Sequence, residues 1–194
     1  MKRIVVATHN EHKLEELAPP LEQLGYDVHS LKDFQTPPVV EETGDSFKEN
    51  ALKKARAVRL KTSAMVLADD SGLEVDALHG RPGVHSKRFS KAGTDEANNR
   101  RLLALMEDKR DRTATFRTVM VLIDEAGTAH VFEGELPGYV HTAEEGCEGF
   151  GYDPVFIPAG QSSTLAALGM EVKNRISHRR RCLAKVLAYL KTTE

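Results

Sequence analysis

The chain has no run of about 18 apolar residues, the length a membrane-spanning helix requires, and Met1-Lys2-Arg3 leads into an apolar stretch too brief for a secretory leader. No membrane partner is expected, and the cytoplasm is the expected compartment. Cysteine is scarce. Cys147 and Cys182 are far apart and lack C-x-x-C spacing, which excludes a disulfide framework and a zinc site and leaves both as packing residues. Neither charge dominates: 27 Lys and Arg against 29 Asp and Glu give a net charge of -2. Nothing therefore attracts nucleic acid or an anionic membrane in general, and any phosphate binding must be local. Within these limits, 194 residues, 40% hydrophobic and 29% charged, suffice for one globular domain, or a domain with a lobe, around a substantial core.

The stretch that organises the rest is Leu67 to Leu73, L-A-D-D-S-G-L. Met65, Val66 and Leu67 predict a short buried strand, which gives way at once to Asp69, Asp70, Ser71 and Gly72. Two adjacent carboxylates at a strand end need a cation beside them. Mg2+ suits this role, because it takes oxygen ligands and needs only one or two carboxylates besides phosphate oxygens. Taken alone, the same residues read as a surface turn.

The flanking sequence shifts that balance. Ile4 to Ala7 is a strand-like run entering Thr8-His9-Asn10-Glu11-His12-Lys13, after which Leu14, Leu17, Leu21 and Leu24 recur at helical spacing until Gly25. A strand, a polar turn and a helix start aim backbone N–H groups at an anion, and Lys13 adds a mobile positive charge. The plainer reading is a helix cap from Thr8 or Asn10 with Lys13 in solvent. The turn has no glycine and does not match the Walker pattern. Pro19-Pro20 should kink or split the helix. Val39 to Gly44, V-V-E-E-T-G, repeats the arrangement of an apolar pair ending in acids. Ser46 and Glu49 then have capping-box spacing before a helix reaching about Leu60, with Phe47, Ala51, Ala55 and Val58 on one face.

Tyr26 to Leu31 predicts a second strand, and His79 to Phe89 an ordered basic loop. Thr94 caps a helix running to about Met106, with Leu102, Leu105 and Met106 inward. Thr113 to Ile123 is the strongest strand; it turns at Asp124 to Gly127 and returns over Ala129 to Leu136, a hairpin expected to form a second lobe. Pro137-Gly138 should end it, with Tyr139 to Thr142 a further strand. Gly149 to Pro154, G-F-G-Y-D-P, sets Phe150 between glycines and near a carboxylate. That combination offers a nucleobase a stacking face and an edge acceptor, although a turn with two core aromatics has the same composition. Lys173 to Arg181 is a basic run before a helix with Leu183, Val186, Leu187 and Leu190 inward. Ser177 as cap places His178 and Arg179 in the first turn, where cations oppose the helix dipole by up to about 1 kcal/mol unless a ligand offsets it.

In order along nearly the whole chain, T-H-N-E-H-K at 8–13, E-E-T-G at 41–44, A-D-D-S-G-L at 68–73, G-F-G-Y-D-P at 149–154 and K-N-R-I-S-H-R at 173–179 resemble the Ham1/RdgB family. These are the inosine and xanthosine triphosphate pyrophosphatases, which remove noncanonical purine nucleotides. The resemblance implies an α/β fold with a long central mixed sheet flanked by helices. Residues 1–194 would be a single domain of two lobes, with the active site in the cleft between them, and would pair as a homodimer. It implies that Thr8, His9, Asn10, Glu11, His12 and Lys13 hold the triphosphate. Glu41 and Asp70 would bind Mg2+, Asp70 also serving as the base that activates water, and Ser71 would touch the substrate beside it. Phe150, Gly151, Tyr152 and Asp153 would form the base pocket, Lys173 would reach phosphate or base, and His178 with Arg179 would read the 6-oxo edge of ITP, dITP or XTP. Water would attack the α-phosphate and release pyrophosphate and a nucleoside monophosphate, chemistry that needs positioning and charge neutralisation rather than a nucleophilic triad. His9 departs from the small residue more common in the family.

Two rivals stand beside this. A Maf-type pyrophosphatase acting on pyrimidine or modified nucleotides is opposed by the His-Arg pair after Ser177 and by the Phe-Gly-Tyr-Asp segment. A non-catalytic nucleotide- or RNA-binding protein using Arg175 to Arg181 has no need of acids at two strand ends.

Overall fold

The structure, a computed structural model, describes residues 2–193. Strands β1 (Arg3–Val6), β2 (Asp27–Ser30), β3 (Met65–Val75), β4 (Thr113–Ile123), β5 (Ala129–Val140) and β6 (Phe156–Pro158) form a six-stranded sheet in the order β2-β1-β3-β4-β5-β6. It is mixed: β1 runs parallel to β2 and β3, and β6 antiparallel to β5. The helices are α1 (Glu11–Gln23), α2 (Phe47–Arg59), α3 (Asp95–Leu105), α4 (Leu165–Leu168), α5 (Met170–Ile176) and α6 (His178–Thr192). The expected α/β class is the one observed.

The chain divides into two compact units. The first holds the residues up to Asp70, Thr118–Gly134 and those from Arg181 onward; the second holds Ser71–Arg117 and Glu135–Arg180. The β4–β5 hairpin is shared, its tip in the first unit and its arms in the second.

In the first unit the alternation of β3 sorts the core. Met65 and Leu67 pack with Leu17 and Leu21 of α1 and with Cys182, Leu183 and Val186 of α6. Val66 and Ala68 face the other way, onto Ala51, Ala55 and Val58 of α2. A strand covered on both faces reads as an unbroken apolar run, which is why Ile4 to Ala7 is apolar throughout. Helix α1 is not split by Pro19-Pro20. The prolines cost it two N–H donors, and the burial of Leu17 and Leu21, worth about 1.5–3 kcal/mol each, opposes a break.

The second unit has its own core, including Leu73 and Val75 of β3, Leu102 of α3, Phe116 of β4, Val140 of β5 and Phe156 of β6. Several expectations are corrected here. Strand β3 does not stop near Leu67 but continues to Val75, because its acids are buried and Leu73 and Val75 enter this second core. Strand β5 passes through Pro137-Gly138 to Val140. Gly138 pairs with Pro158, and a Cβ there would lie 2.2 Å from the Ile157 carbonyl oxygen, so the glycine admits β6 rather than ending the strand. Leu105 is exposed and Leu103 packs inward instead. Of the two cysteines only Cys182 is a packing residue; burial pushes its thiol up to about 12, while Cys147 is exposed.

Candidate active site

Asn10 caps α1: its Oδ1 accepts the Lys13 N–H at 3.4 Å, and Thr8 Oγ1 accepts the Asn10 N–H at 3.1 Å. The cap does not leave Lys13 in solvent. Its Nζ lies 2.7 Å from Oδ2 of Asp69, a side chain 1% exposed. One residue on, the alternation of β3 turns Asp70 to the α2 side, where it accepts from Asn50 Nδ2 at 3.0 Å and lies 3.8 Å from Lys54 Nζ. Lys54 in turn sits 2.6 Å from Glu42 Oε1. Two adjacent buried acids are thus tolerated because each faces a lysine from a different helix.

Local sequence explains why these groups converge. Ser46 Oγ accepts the Glu49 N–H at 3.2 Å, and the Glu49 carboxylate accepts the Asp45 N–H at 2.8 Å, so half of the expected capping box is shifted by one residue. Asn50 Oδ1 accepts the Gly44 N–H at 2.8 Å while its Nδ2 holds Asp70, which ties the E-E-T-G loop to the end of β3. Burial raises the Asp70 pKa above the ordinary aspartate value, against the pull of Lys54, Lys13 and the Asn50 hydrogen bond. Lys54 loses hydration, which alone would lower its pKa, yet Asp69, Asp70 and Glu42 outweigh this and hold it above the usual lysine value.

Other expected triphosphate residues have contacts of their own or face solvent. His9 is exposed, Glu11 pairs with Lys32, and His12 lies 3.5 Å from Glu15. Glu41 is exposed; Glu42 is the acid that meets Lys54. Sequence reasoning noted Glu42 beside Glu41 but gave the metal role to Glu41, and it missed Asn50 and Lys54. The signal was present, since Asn50 and Lys54 fall within the Phe47, Ala51, Ala55, Val58 stripe, and a lysine on an apolar stripe requires a buried partner.

In the second unit, Asp153 Oδ2 accepts the Phe150 N–H at 2.9 Å and lies 2.6 Å from Lys173 Nζ, with both side chains almost wholly buried. Lys173 Nζ stands 3.9 Å from the centroid of the Phe150 ring, and Arg179 Cζ stands 5.4 Å from it. Arg179 Nη2 donates to Ser71 Oγ at 3.1 Å. Ser177 Oγ accepts the Arg180 N–H at 3.1 Å, the expected cap of α6, and the His178 ring stacks on Phe116 at 4.7 Å and 6°. The His178 and Arg179 side chains in this first turn therefore meet aromatic faces and a hydroxyl. Tyr152 points elsewhere: its hydroxyl donates to the Ser86 carbonyl at 2.8 Å, and burial pushes its pKa up. This bond ties the loop to Ser86.

Residues 4–189 match the sequence model of the Ham1 family. The chain belongs to the Ham1 family. It is 47% identical over 193 residues to the dITP/XTP pyrophosphatase of Geobacter sulfurreducens, covering 98% of this chain and 97% of that one. It is 42% identical over 189 residues to the dITP/XTP pyrophosphatase of Bacillus subtilis, covering 96% of each. The solved Ham1 protein of Staphylococcus aureus matches it with a TM-score of 0.91 at 36% identity and full coverage of both chains. In this Ham1-family chain no cluster of three or more His, Cys, Asp and Glu suited to a metal ion occurs among the described residues. The carboxylates that could serve a hard cation are Asp70 and Glu42, which both face Lys54, and a bound cation would need further oxygen ligands.

Proposed function

We propose that this Ham1-family chain is a Mg2+-dependent nucleoside triphosphate pyrophosphohydrolase that clears ITP, dITP and XTP, giving the monophosphate and pyrophosphate. The observation that carries the reading is the pair of adjacent buried acids, each opposed by its own lysine. Asp70 and Glu42 would hold Mg2+, which when bound neutralises phosphate charge. Glu42 takes the place first given to Glu41, because it shares Lys54 with Asp70. Lys13 and Lys54 supply fixed positive charge to the triphosphate, and the start of α1 supplies N–H groups. Asp70 accepts the proton of the attacking water, and burial, by raising its pKa, makes it a stronger base than an exposed aspartate.

Ser71 follows Asp70 in β3, so the residues serving phosphate and those serving the base adjoin along the chain. Phe150 offers the stacking face. His178 and Arg179 offer donors to a 6-oxo group; an adenine 6-amino group would face donors with a donor, which leaves buried polar groups unmatched. The same reading makes the protein a cytoplasmic homodimer, and light scattering tests the dimer. The deciding assay is pyrophosphate release from dITP, XTP, dGTP, dATP and dTTP with Mg2+, in wild type and Asp70→Asn. Turnover of dITP and XTP, abolished in the variant and by chelator, is expected; preference for dTTP would point to the Maf-type reaction, and no turnover of any would defeat the enzyme reading.

A further inference from the structure

We infer that Asp95 and Asn99 of α3 are positioning residues for nucleobase recognition: by holding both backbone groups of Gly151 they fix the Phe150 ring without touching substrate. This rests on the proposed nucleotide reading of the Phe150 loop.

Asp95 Oδ2 accepts the Gly151 N–H at 2.7 Å, and Asn99 Nδ2 donates to the Gly151 carbonyl at 3.1 Å. The two side chains are four residues apart on one helix and therefore share a face. An acid in the first turn of a helix is ordinary, since it favours the dipole. Here, however, one carboxylate oxygen is committed to a peptide 56 residues further along the chain. Gly151 has φ +65 and so cannot readily be replaced by a side chain that would hold the loop from within; the hold comes from outside.

The helix that provides this grip is itself anchored. Asn98, buried beside Asn99, takes the Ser90 N–H at 2.7 Å and donates to the Ser86 and Lys87 carbonyls at 3.3 and 3.1 Å. Ser86 Oγ accepts the Leu73 N–H at 3.0 Å, and the Ser86 carbonyl receives the Tyr152 hydroxyl. A continuous set of bonds thus runs from β3, just after Ser71, through Ser86 and α3 to Gly151. Phe150 is held on its other side by Asp153. The ring that would stack on the base is located by this frame, and a stacking surface discriminates only as well as it is placed.

The test compares steady-state hydrolysis of dITP and dATP by wild type, Asp95→Ala, Asp95→Asn, Asn99→Asp and Phe150→Ala, with thermal melts alongside. Asp95→Ala and Asn99→Asp should each raise KM for dITP roughly tenfold with kcat within about twofold. The kcat/KM preference for dITP over dATP should fall by a similar factor, and inhibition by pyrophosphate, which reports the phosphate end alone, should not change. Asp95→Asn keeps an acceptor for the Gly151 N–H and should lie within about threefold of wild type. Should Asp95→Ala not fold, Asn99→Asp carries the test. Wild-type KM and base preference in these variants, with Phe150→Ala impaired, would overturn the inference alone. A wild type inactive on both nucleotides, or a Phe150→Ala protein equal to wild type, would overturn the nucleotide reading and this inference with it.

Discussion

Lys173→Met probes the buried Lys173–Asp153 ion pair beside the Phe150 ring. Methionine keeps the apolar stem and removes the ammonium that lies 2.6 Å from Asp153, in a pair whose side chains are 2% and 3% exposed. The Asp153 carboxylate then stays buried without its cation, a loss of roughly 3–5 kcal/mol for a pair this deep. For a chain of 194 residues, at about 2–4 °C per kcal/mol, the melting temperature should fall by about 6–20 °C. Asp153→Asn keeps an acceptor for the Phe150 N–H but strands the Lys173 ammonium, and should also destabilise. The double variant buries neither charge, so its deficit should be smaller than the sum of the singles by about 2 kcal/mol or more. Urea unfolding of the four proteins, followed by circular dichroism at one pH, measures the cycle. Additivity within about 0.5 kcal/mol would refute the reasoning, because two side chains in direct ionic contact away from water cannot contribute independently.

Asp70→Asn should separate stability from activity. Its folded pKa lies above the unfolded value, so ionising Asp70 destabilises the fold progressively as pH rises from the ordinary aspartate range through the raised folded pKa, and the amide escapes this. Melts in chelator from pH 4 to pH 7 should show the variant gaining on wild type as pH rises while hydrolysis stays lost; a constant gap would contradict the assigned cause. Glu42→Gln should weaken Mg2+ activation and turnover roughly 100-fold, whereas the exposed Glu41→Gln should stay within about twofold, read from Mg2+ titrations of activity. At pH 8 iodoacetamide should label one thiol per native chain, Cys147, since the buried Cys182 thiol, pushed up to about 12, stays protonated; mass spectrometry of the digest would expose an error in either assignment.

Much of this protein is local in origin. Helix α2 is written in Ser46, Glu49 and the Phe47, Ala51, Ala55, Val58 stripe, and it forms over Phe47–Arg59; the cap of α6 is written in Ser177. The five short motifs and their order point to the family, because each carries its own chemistry wherever the chain places it. Local rules failed where a residue's partner lies far along the chain. Asp69-Asp70-Ser71-Gly72 has the composition of a turn, and only neighbouring strands and two lysines from opposite faces make it the middle of an eleven-residue strand. Pro137-Gly138 has the composition of a break, and only the close approach of β6 makes it strand.

The candidate site divides along the same line. Sequence by itself determined the residue types, acids at the ends of apolar runs, a lysine after the first strand, an aromatic between glycines, since these follow from composition and spacing. Tertiary structure alone decided the pairings: Lys13 with Asp69, Lys54 with Asp70 and Glu42 rather than Glu41, and the Tyr152 hydroxyl with the Ser86 carbonyl. The physical reason is that charge energies depend on distance and burial, and neither is defined until the helices have packed against the strands.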